Sequence, residues 1–474
     1  MRKRVRRPAF MGKRVRFLAL ASAVIVVTVL PGAGVAGADV AGAHTGGYRQ
    51  IANLTGPNVP FFKAPPGSLV ADIVFVDPAL HRVYLADQSN VKPGTHGHVV
   101  GAVDAWDTRT FKFVGAMFGN FTGLAGFPQS FDTEGPDGVL VDNLGHIWVG
   151  NGNDRVVVGD ARTMKEIKVI TTGGSGRADE LAYDPNNQTI LVTNPGASPP
   201  GWTLIDARTF RILGRATLGA GVPTGSIEQP KFDPLLGEFV SSVSQLSSHD
   251  THGALAVVDT QVVPHSHTVP ARAFRLSARC NPLGLAIGPG RDLFLSCLNY
   301  GPLVATAMQG QAGFEVVKQF TQACCGDEAW YDPHLGRYYV ADFLNPHTTG
   351  KHPVVTVVDA KNDSFITNIP ILTPNLAPNG SVALEPDMSF HTVAVDPVTG
   401  YVYVPAATGV RVFAATTAAA VPSAHTGEPW SGWLYWVLVA GAAALGYGVF
   451  EVGRRRRRAH GHGLTARPAR SPPW

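Results

Sequence analysis

The chain has 474 residues, 45% of them hydrophobic and 16% charged, with 53 Gly, 36 Pro and 4 Cys. That hydrophobicity excludes a disordered protein, the glycines lack the three-residue period of collagen, and four cysteines are too few for a disulfide-dense scaffold. The formal charge of +4 is set by the ends: of 39 Lys/Arg, residues 1–16 hold 8 and residues 454–474 hold 7, with no acid in either stretch. The other 24 bases face all 35 acids, so residues 17–453 carry about −11. A body this acidic is not a nucleic-acid binder.

Residues 1–43 read as a signal peptide. A basic segment from Arg2 to Arg16 precedes an apolar stretch from Phe17 to Leu30, and Ala36-Gly37-Ala38 and Ala41-Gly42-Ala43 offer small-residue cleavage sites. Met11 begins a compact signal of its own, which makes it an alternative start to Met1. At the other end, residues 432–452 read as a transmembrane helix. Trp433 to Phe450 carry no charge, Trp430, Trp433, Tyr435 and Trp436 suit the headgroup zone, and Arg454 to Arg458 follow. Basic clusters stay cytoplasmic, so residues 453–474 form a cytoplasmic tail. The body is then extracytoplasmic on a single-pass membrane protein. Ser423-Ala424-His425-Thr426-Gly427 resembles a Leu-Ala-x-Thr-Gly wall-sorting motif, but Ser stands for the required Leu. Residues 416–431 read as the linker to the span.

Between these ends, over 44–415, one unit recurs seven times. A short apolar strand ends in Asp-Pro and a turn, and an aromatic or β-branched strand follows. Val74-Phe75-Val76-Asp77-Pro78 before Val83-Tyr84-Leu85 is one example, and Trp330-Tyr331-Asp332-Pro333 before Tyr338-Tyr339-Val340 is another. A third strand ends in Asp and a turn, as in Trp106-Asp107-Thr108-Arg109-Thr110 and Ile205-Asp206-Ala207-Arg208-Thr209, and a fourth strand completes the unit. The first strands end at Asp77, Asp142, Asp184, Asp233, Gly288, Asp332 and Asp396, with the longest steps carrying insertions at 119–135 and 370–390. Short half-alternating strands without an amphipathic helix predict an all-β, seven-bladed β-propeller. The last unit, His391 to Phe413, stops after three strands. The segment Tyr48-Arg49-Gln50-Ile51-Ala52-Asn53-Leu54 reads like the missing fourth strand, so an N-terminal strand is expected to close the ring and remove an open edge.

Leu191-Val192-Thr193-Asn194 followed by Leu204-Ile205-Asp206-Ala207-Arg208-Thr209 resembles the YVTN-type (YncE-like) propeller repeat. The resemblance covers residues 48–413 and implies an extracytoplasmic seven-bladed propeller without implying one chemistry. The fifth unit departs from the pattern, with Gly288-Pro289-Gly290 in place of Asp-Pro.

The recurring turn aspartates belong to structure, because Asp at a turn start accepts backbone amides and Pro presets the next φ. Function is sought instead at the start of each first strand, about five residues before its Asp, where seven positions ring the mouth of a central channel. These are Asp72, Asp137, Asp179, Glu228, Asp327 and His391, with Asn281 in the irregular fifth blade. Crowded carboxylates call for a proton or a cation, and a hard ion such as Ca²⁺ favours such oxygens. The histidine pairs His96/His98, His249/His252 and His347/His352 in loops, with Asp327 and His391, are the weaker candidates for Zn²⁺. His265/His267 and His460/His462 are histidines of the same kind in looser segments. Cys280 and Cys297 end neighbouring strands and are the favoured disulfide, leaving the adjacent Cys324 and Cys325 for a vicinal, redox-labile pair. Pairing of Cys280 with Cys324 or Cys325 across blades is the alternative.

No nucleophile elbow, P-loop, dinucleotide fingerprint or haem-attachment motif occurs, and the tryptophan-docking repeat of quinoprotein propellers is absent. Trp106, Trp148, Trp202 and Trp330 read as core. The expectation is an exported, membrane-anchored binding or scaffold module whose acidic mouth takes a protein, glycan or small ligand. The alternatives are a metal-dependent hydrolase, lactonase or lyase using the same carboxylates, and a redox role for Cys324-Cys325.

Overall fold

A computed structural model describes residues 47–56, 71–90, 99–124, 130, 132–218, 227–260, 267–309, 312–344, 352–376, 382–386 and 390–416. Signal segment 1–43, the linker beyond Thr416, span 432–452 and tail 453–474 lie outside the described residues. So do His96, His98, His265, His347, His460 and His462. Among the described residues there is no helix, and therefore none long and apolar enough to cross a membrane.

Each repeat folds into a four-stranded antiparallel sheet, and seven such sheets make the blades. Blade 1 runs outward from the centre through Ala71–Asp77, Arg82–Asp87, Ala102–Asp107 and Phe113–Met117. The innermost strands of blades 2 to 7 are Val139–Val141, Leu181–Asp184, Ile227–Asp233, Pro282–Ile287, Cys324–Asp332 and Ala394–Val395. Each inner strand touches its two neighbours, so blade 7 meets blade 1 and the circle is complete. In blade 7 the outermost strand comes from the other end of the sequence: Tyr48–Leu54 pairs with Gly409–Ala415, setting Tyr48 opposite Ala415 and Leu54 opposite Val410. Tyr48 also reaches into blade 6, where its hydroxyl lies 2.8 Å from Tyr339 Oη and accepts from Arg337 Nη1 at 2.5 Å. The 370–390 insertion contains a hairpin, Leu372–Leu376 with Val382–Pro386, which the repeat pattern did not foretell.

The repeated turns follow from their side chains. Asp77, Asp184, Asp233, Asp332 and Asp396 each accept the amide two residues on, and the chain then turns through a left-handed residue. That residue is His81, Gln188, Gly237, Gly336 or Gly400. Asp107, Asp160 and Asp206 each accept the amide and hydroxyl of a threonine three residues on.

The core is not one cluster but seven, each shared by the facing sides of two adjacent blades. The second and third strands are therefore covered on both faces. Thr189–Asn194 is buried throughout, whereas the outermost Lys165–Thr171 is largely exposed. Middle strands thus read as continuous apolar runs, and the expected alternation fails there because it belongs to sheets with one wet face. Trp106, Trp148 and Trp202 are buried in these layers. Trp330 is only partly so, with Lys231 Nζ 4.8 Å from the centre of its ring.

Cys280 and Cys297 form a disulfide with Cα atoms 4.6 Å apart, and Cys324 is paired with Cys325. The cross-blade alternative is set aside, and no cysteine is free.

Candidate functional site

At the start of the inner strands the ladder carries an extra residue. In blade 1 Ala71 faces Asp87 and Val74 faces Leu85, so Asp72 and Ile73 together oppose Ala86. The same two-against-one step places Glu228 and Gln229 in blade 4, Leu283 and Gly284 in blade 5, and Asp327 and Glu328 in blade 6. Blades 2 and 3 show it in their hydrogen bonds: Asp137 N donates to Gly150 O while Gly150 N donates to Gly138 O, and Asp179, Glu180 and Thr193 repeat the arrangement. A β-bulge re-aims side chains and frees backbone groups from the ladder. Here those groups join the blades. Ile73 N donates to Asp137 O, Glu328 N donates to His391 O, and Val74 N donates to Thr392 Oγ1. The Gln229 side chain accepts from both Leu285 N and Ala329 N.

The approach is close enough to require glycine. A Cβ on Gly150 would lie 2.0 Å from the Asp179 carbonyl oxygen, and one on Gly284 would lie 2.2 Å from that of Asp327. Gly150 thereby sets where the neighbouring blade presents Asp179.

Six of the seven ring residues form one charged cluster. His391 is its clearest member. Nε2 lies 2.8 Å from the Ala71 carbonyl and Nδ1 lies 3.2 Å from Asp327 Oδ2, so both ring nitrogens face acceptors and both must donate. Asp72 Oδ1 is 3.8 Å from Nε2. Burial opposes the imidazolium, but the Asp327 hydrogen bond, the charges of Asp72 and Asp327 and the Ala71 carbonyl outweigh it and lift the pKa to about 10. Asp72 is itself raised to about 6, by burial against the pull of His391.

The second cation of this layer is Arg177, two residues before Asp179. Its Nε donates to Asp179 Oδ2 at 2.6 Å, and Nη2 stands 4.0 Å from Glu228 Oε1. Although burial works against the guanidinium, Asp179 and Glu228 hold its pKa above the usual value. Burial raises Asp179 despite Arg177, and burial with the Asp179 charge pushes Glu228 well above the carboxylate range. Asp137 is 2% exposed. Gln88 Nε2 donates to its Oδ1 at 3.0 Å, while no partner among the described residues reaches Oδ2. Burial, then the charges of Asp72 and Asp179, drive its pKa well upward.

The second residues of the bulges add a further set. Glu180 and Glu328 interact, both raised first by burial, Glu328 to about 8. Lys231, lowered by burial, is balanced by these two carboxylates and caps the Trp330 ring. Seven carboxyls (Asp72, Asp137, Asp179, Glu180, Glu228, Asp327, Glu328) therefore share three cations, Arg177, Lys231 and His391. Sequence reasoning missed Arg177, Glu180, Lys231 and Glu328. Glu180 and Glu328 stand one residue beyond the ring position, where strand periodicity would send them to the opposite face, and only a bulge turns both toward the centre.

Asn281 is a correction. Its Nδ2 donates to Ser244 O at 2.9 Å and Asp250 O at 2.8 Å, tying a blade 4 loop to blade 5. The bulge position equivalent to Asp327 is Leu283, five residues before Gly288. His249 is exposed, and His252 serves its own loop, where Arg275 Nη2 donates to its Nδ1 at 2.7 Å and also binds Asp250. Among the described residues no group of three His, Cys, Asp or Glu side chains is arranged to hold a metal ion. No family model matches the chain, and no curated protein matches it.

Proposed function

We propose that the protein is an exported, membrane-anchored binding module that engages its ligand at the charged cluster in the centre of the propeller. The observation that carries this reading is the convergence of bulged inner strands on a half-compensated set of buried carboxyls, with Asp137 Oδ2 lacking a donor among the described residues. Buried charge without full pairing detracts from stability, and sites of that kind cluster where proteins bind or react. Access is supported by the side chains of Asp72, Asp327 and Glu228, which remain 20%, 19% and 13% exposed. The Asp-Pro and Asp-x-Arg-Thr turns support membership of the YVTN-type repeat family. The pairing of Tyr48–Leu54 with Gly409–Ala415 supports a ring closed by the N-terminal strand. Paired cysteines support an oxidising compartment, in line with the export signal and the apolar, arginine-flanked C-terminal segment. A metal-dependent hydrolase is less well supported, since Arg177 already bonds Asp179 and stands near Glu228, two of the acids a dication would use.

The test is a thermal-shift screen of amines, carboxylates, sugars, nucleosides and divalent cations against the wild type and Glu228→Gln. Compounds that stabilise the wild type and lose their effect in the variant are expected. A set of hits indifferent to Glu228→Gln and to Asp72→Asn defeats the proposal.

A further inference from the structure

The chemical class of the ligand follows from how the cluster is already paired, and this inference rests on the reading of the cluster as the binding site. The chain supplies its own cation to most of the acids. His391 lies between Asp72 and Asp327, Arg177 lies on Asp179 and toward Glu228, and Lys231 is balanced by Glu180 and Glu328. Asp137 lies in the field of Arg177, but among the described residues no cation bonds to it. The one hydrogen bond to its side chain comes from neutral Gln88, and no donor among the described residues reaches its buried second oxygen. Buried carboxyl oxygens are ordinarily satisfied, and an orphaned one among seven carboxyls with three cations calls for a donor whose positive charge would favour the ionised form.

We infer that Asp137 Oδ2 receives an N–H from a compact organic cation, an ammonium or guanidinium group, held in the field of Asp72 and Asp179. Seven carboxyls against three cations disfavour an anion, and a neutral polyol would bring Asp137 no charge-assisted bond. A hard dication needs six to eight oxygens at once, typically several of them carboxylate. The built-in guanidinium and imidazolium already lie on Asp179, Glu228, Asp72 and Asp327 and would repel it. A monocation with directional N–H groups needs only the open oxygen and the surrounding field.

Two sources share that chemistry: a free amine, and the basic side chain of a partner's peptide segment. Calorimetric titration of the full-length chain in detergent, using n-butylamine, arginine ethyl ester, the peptide acetyl-Ala-Lys-Ala-amide and its norleucine counterpart, separates them. The amine, the ester and the lysine peptide are expected to bind, and the norleucine peptide is not. Comparable affinities for amine and peptide point to a small ligand, and a much tighter peptide points to a protein partner. Asp137→Asn keeps an acceptor for Gln88 while removing the charge. It is expected to weaken binding by about ten- to a hundredfold, the range of one charge-assisted hydrogen bond. Its unliganded melting temperature is expected to stay level, because burial already favours the neutral form of the Asp137 carboxyl that the amide replaces. Asp72→Asn, on the more open side, gives a second and smaller loss. Amine binding unchanged in both variants overturns the inference. So does CaCl₂, acetate or glucose binding that depends on Asp137 and Asp72 while the amines are silent, an outcome that leaves the cluster standing as a binding site. If no compound depends on the cluster at all, both readings fall.

Discussion

Replacing His391 with glutamine removes the cation that Asp72 and Asp327 share, and the structure fixes both the size and the pH dependence of the loss. The wild-type imidazole titrates at about 10 in the folded protein against 6.5 for the unperturbed ring. That interval, at about 1.4 kcal/mol per decade, corresponds to ~5 kcal/mol of stability linked to the proton. The folded state binds the proton more tightly than the unfolded chain, so this stability is fully present below pH 6.5 and drains away as the pH rises through 10. Glutamine can donate to Asp327 or to the Ala71 carbonyl but brings no charge. The variant should therefore lose ~3–5 kcal/mol at pH 6, as when one partner of a buried pair is removed. By pH 10 the gap should narrow to about 1 kcal/mol, the worth of an ordinary hydrogen bond. Urea unfolding at pH 6, 8 and 10, followed through the buried tryptophans, measures this directly. A wild-type advantage of equal size at all three pH values would show that His391 acts by packing alone, and the electrostatic account of the cluster would be wrong.

Three further outcomes are expected. Burial holds Glu328 at about 8 and Asp72 at about 6, so the folded state keeps protons that the unfolded chain releases at lower pH. This stability is present in full below the ordinary carboxylate values and is lost through pH 6 and 8, so the melting temperature should fall from pH 5 to pH 9; a rise over that range contradicts the assignment. Gly150→Ala puts a Cβ 2.0 Å from Asp179 O, while the control Gly115→Ala meets nothing within 4 Å. Urea midpoints should show a loss of ~1–3 kcal/mol for the first and almost none for the second. Removing the Cys280–Cys297 link as the double alanine variant opens a loop of sequence separation 17, for an expected loss of ~3 kcal/mol in non-reducing urea unfolding.

The blade count was legible because Asp-Pro and Asp-x-Arg-Thr do local work. Asp77, Asp107 and Asp206 bond amides two or three residues away, so their spacing depends only on the turn. The ring of acids was legible for a related reason: counting five residues back from each turn reaches Asp72, Asp137, Asp179, Glu228, Asp327 and His391 whether or not the strand is bulged. The count fails in blade 5 only because Leu283 was passed over for the more polar Asn281, whose amide is committed to Ser244 and Asp250. Glu180 and Glu328 were illegible, since a bulge is a matter of register between two strands and leaves no mark in one of them, and Arg177 and Lys231 lie outside the repeated ring position altogether. The two-sided burial of the middle strands was likewise hidden, being a property of neighbouring blades rather than of any one repeat.

Blade 5 also separates what the fold requires from what it merely tolerates. Leu283 and Gly284 occupy the same bulge that holds Asp327 and Glu328 in blade 6, and the strand there pairs in the same two-against-one register. The amide beyond that bulge, Leu285 N, finds Gln229, and so does Ala329 N beyond the charged bulge of blade 6. An acid is therefore not needed to form the bulge, to satisfy the freed amide or to join the blades. The hydrophobic layers that hold the ring together lie between the sheets, away from the cluster. Five of the six blades with this bulge nevertheless place carboxyls in it, where burial raises most of them and one oxygen of Asp137 has no donor among the described residues. Apolar residues in those positions would keep the geometry and avoid the desolvation and repulsion, as Leu283 demonstrates within the same molecule. The stability given up at the centre is thus not a by-product of building a propeller, and a cationic ligand that fills the open position at Asp137 would recover part of it.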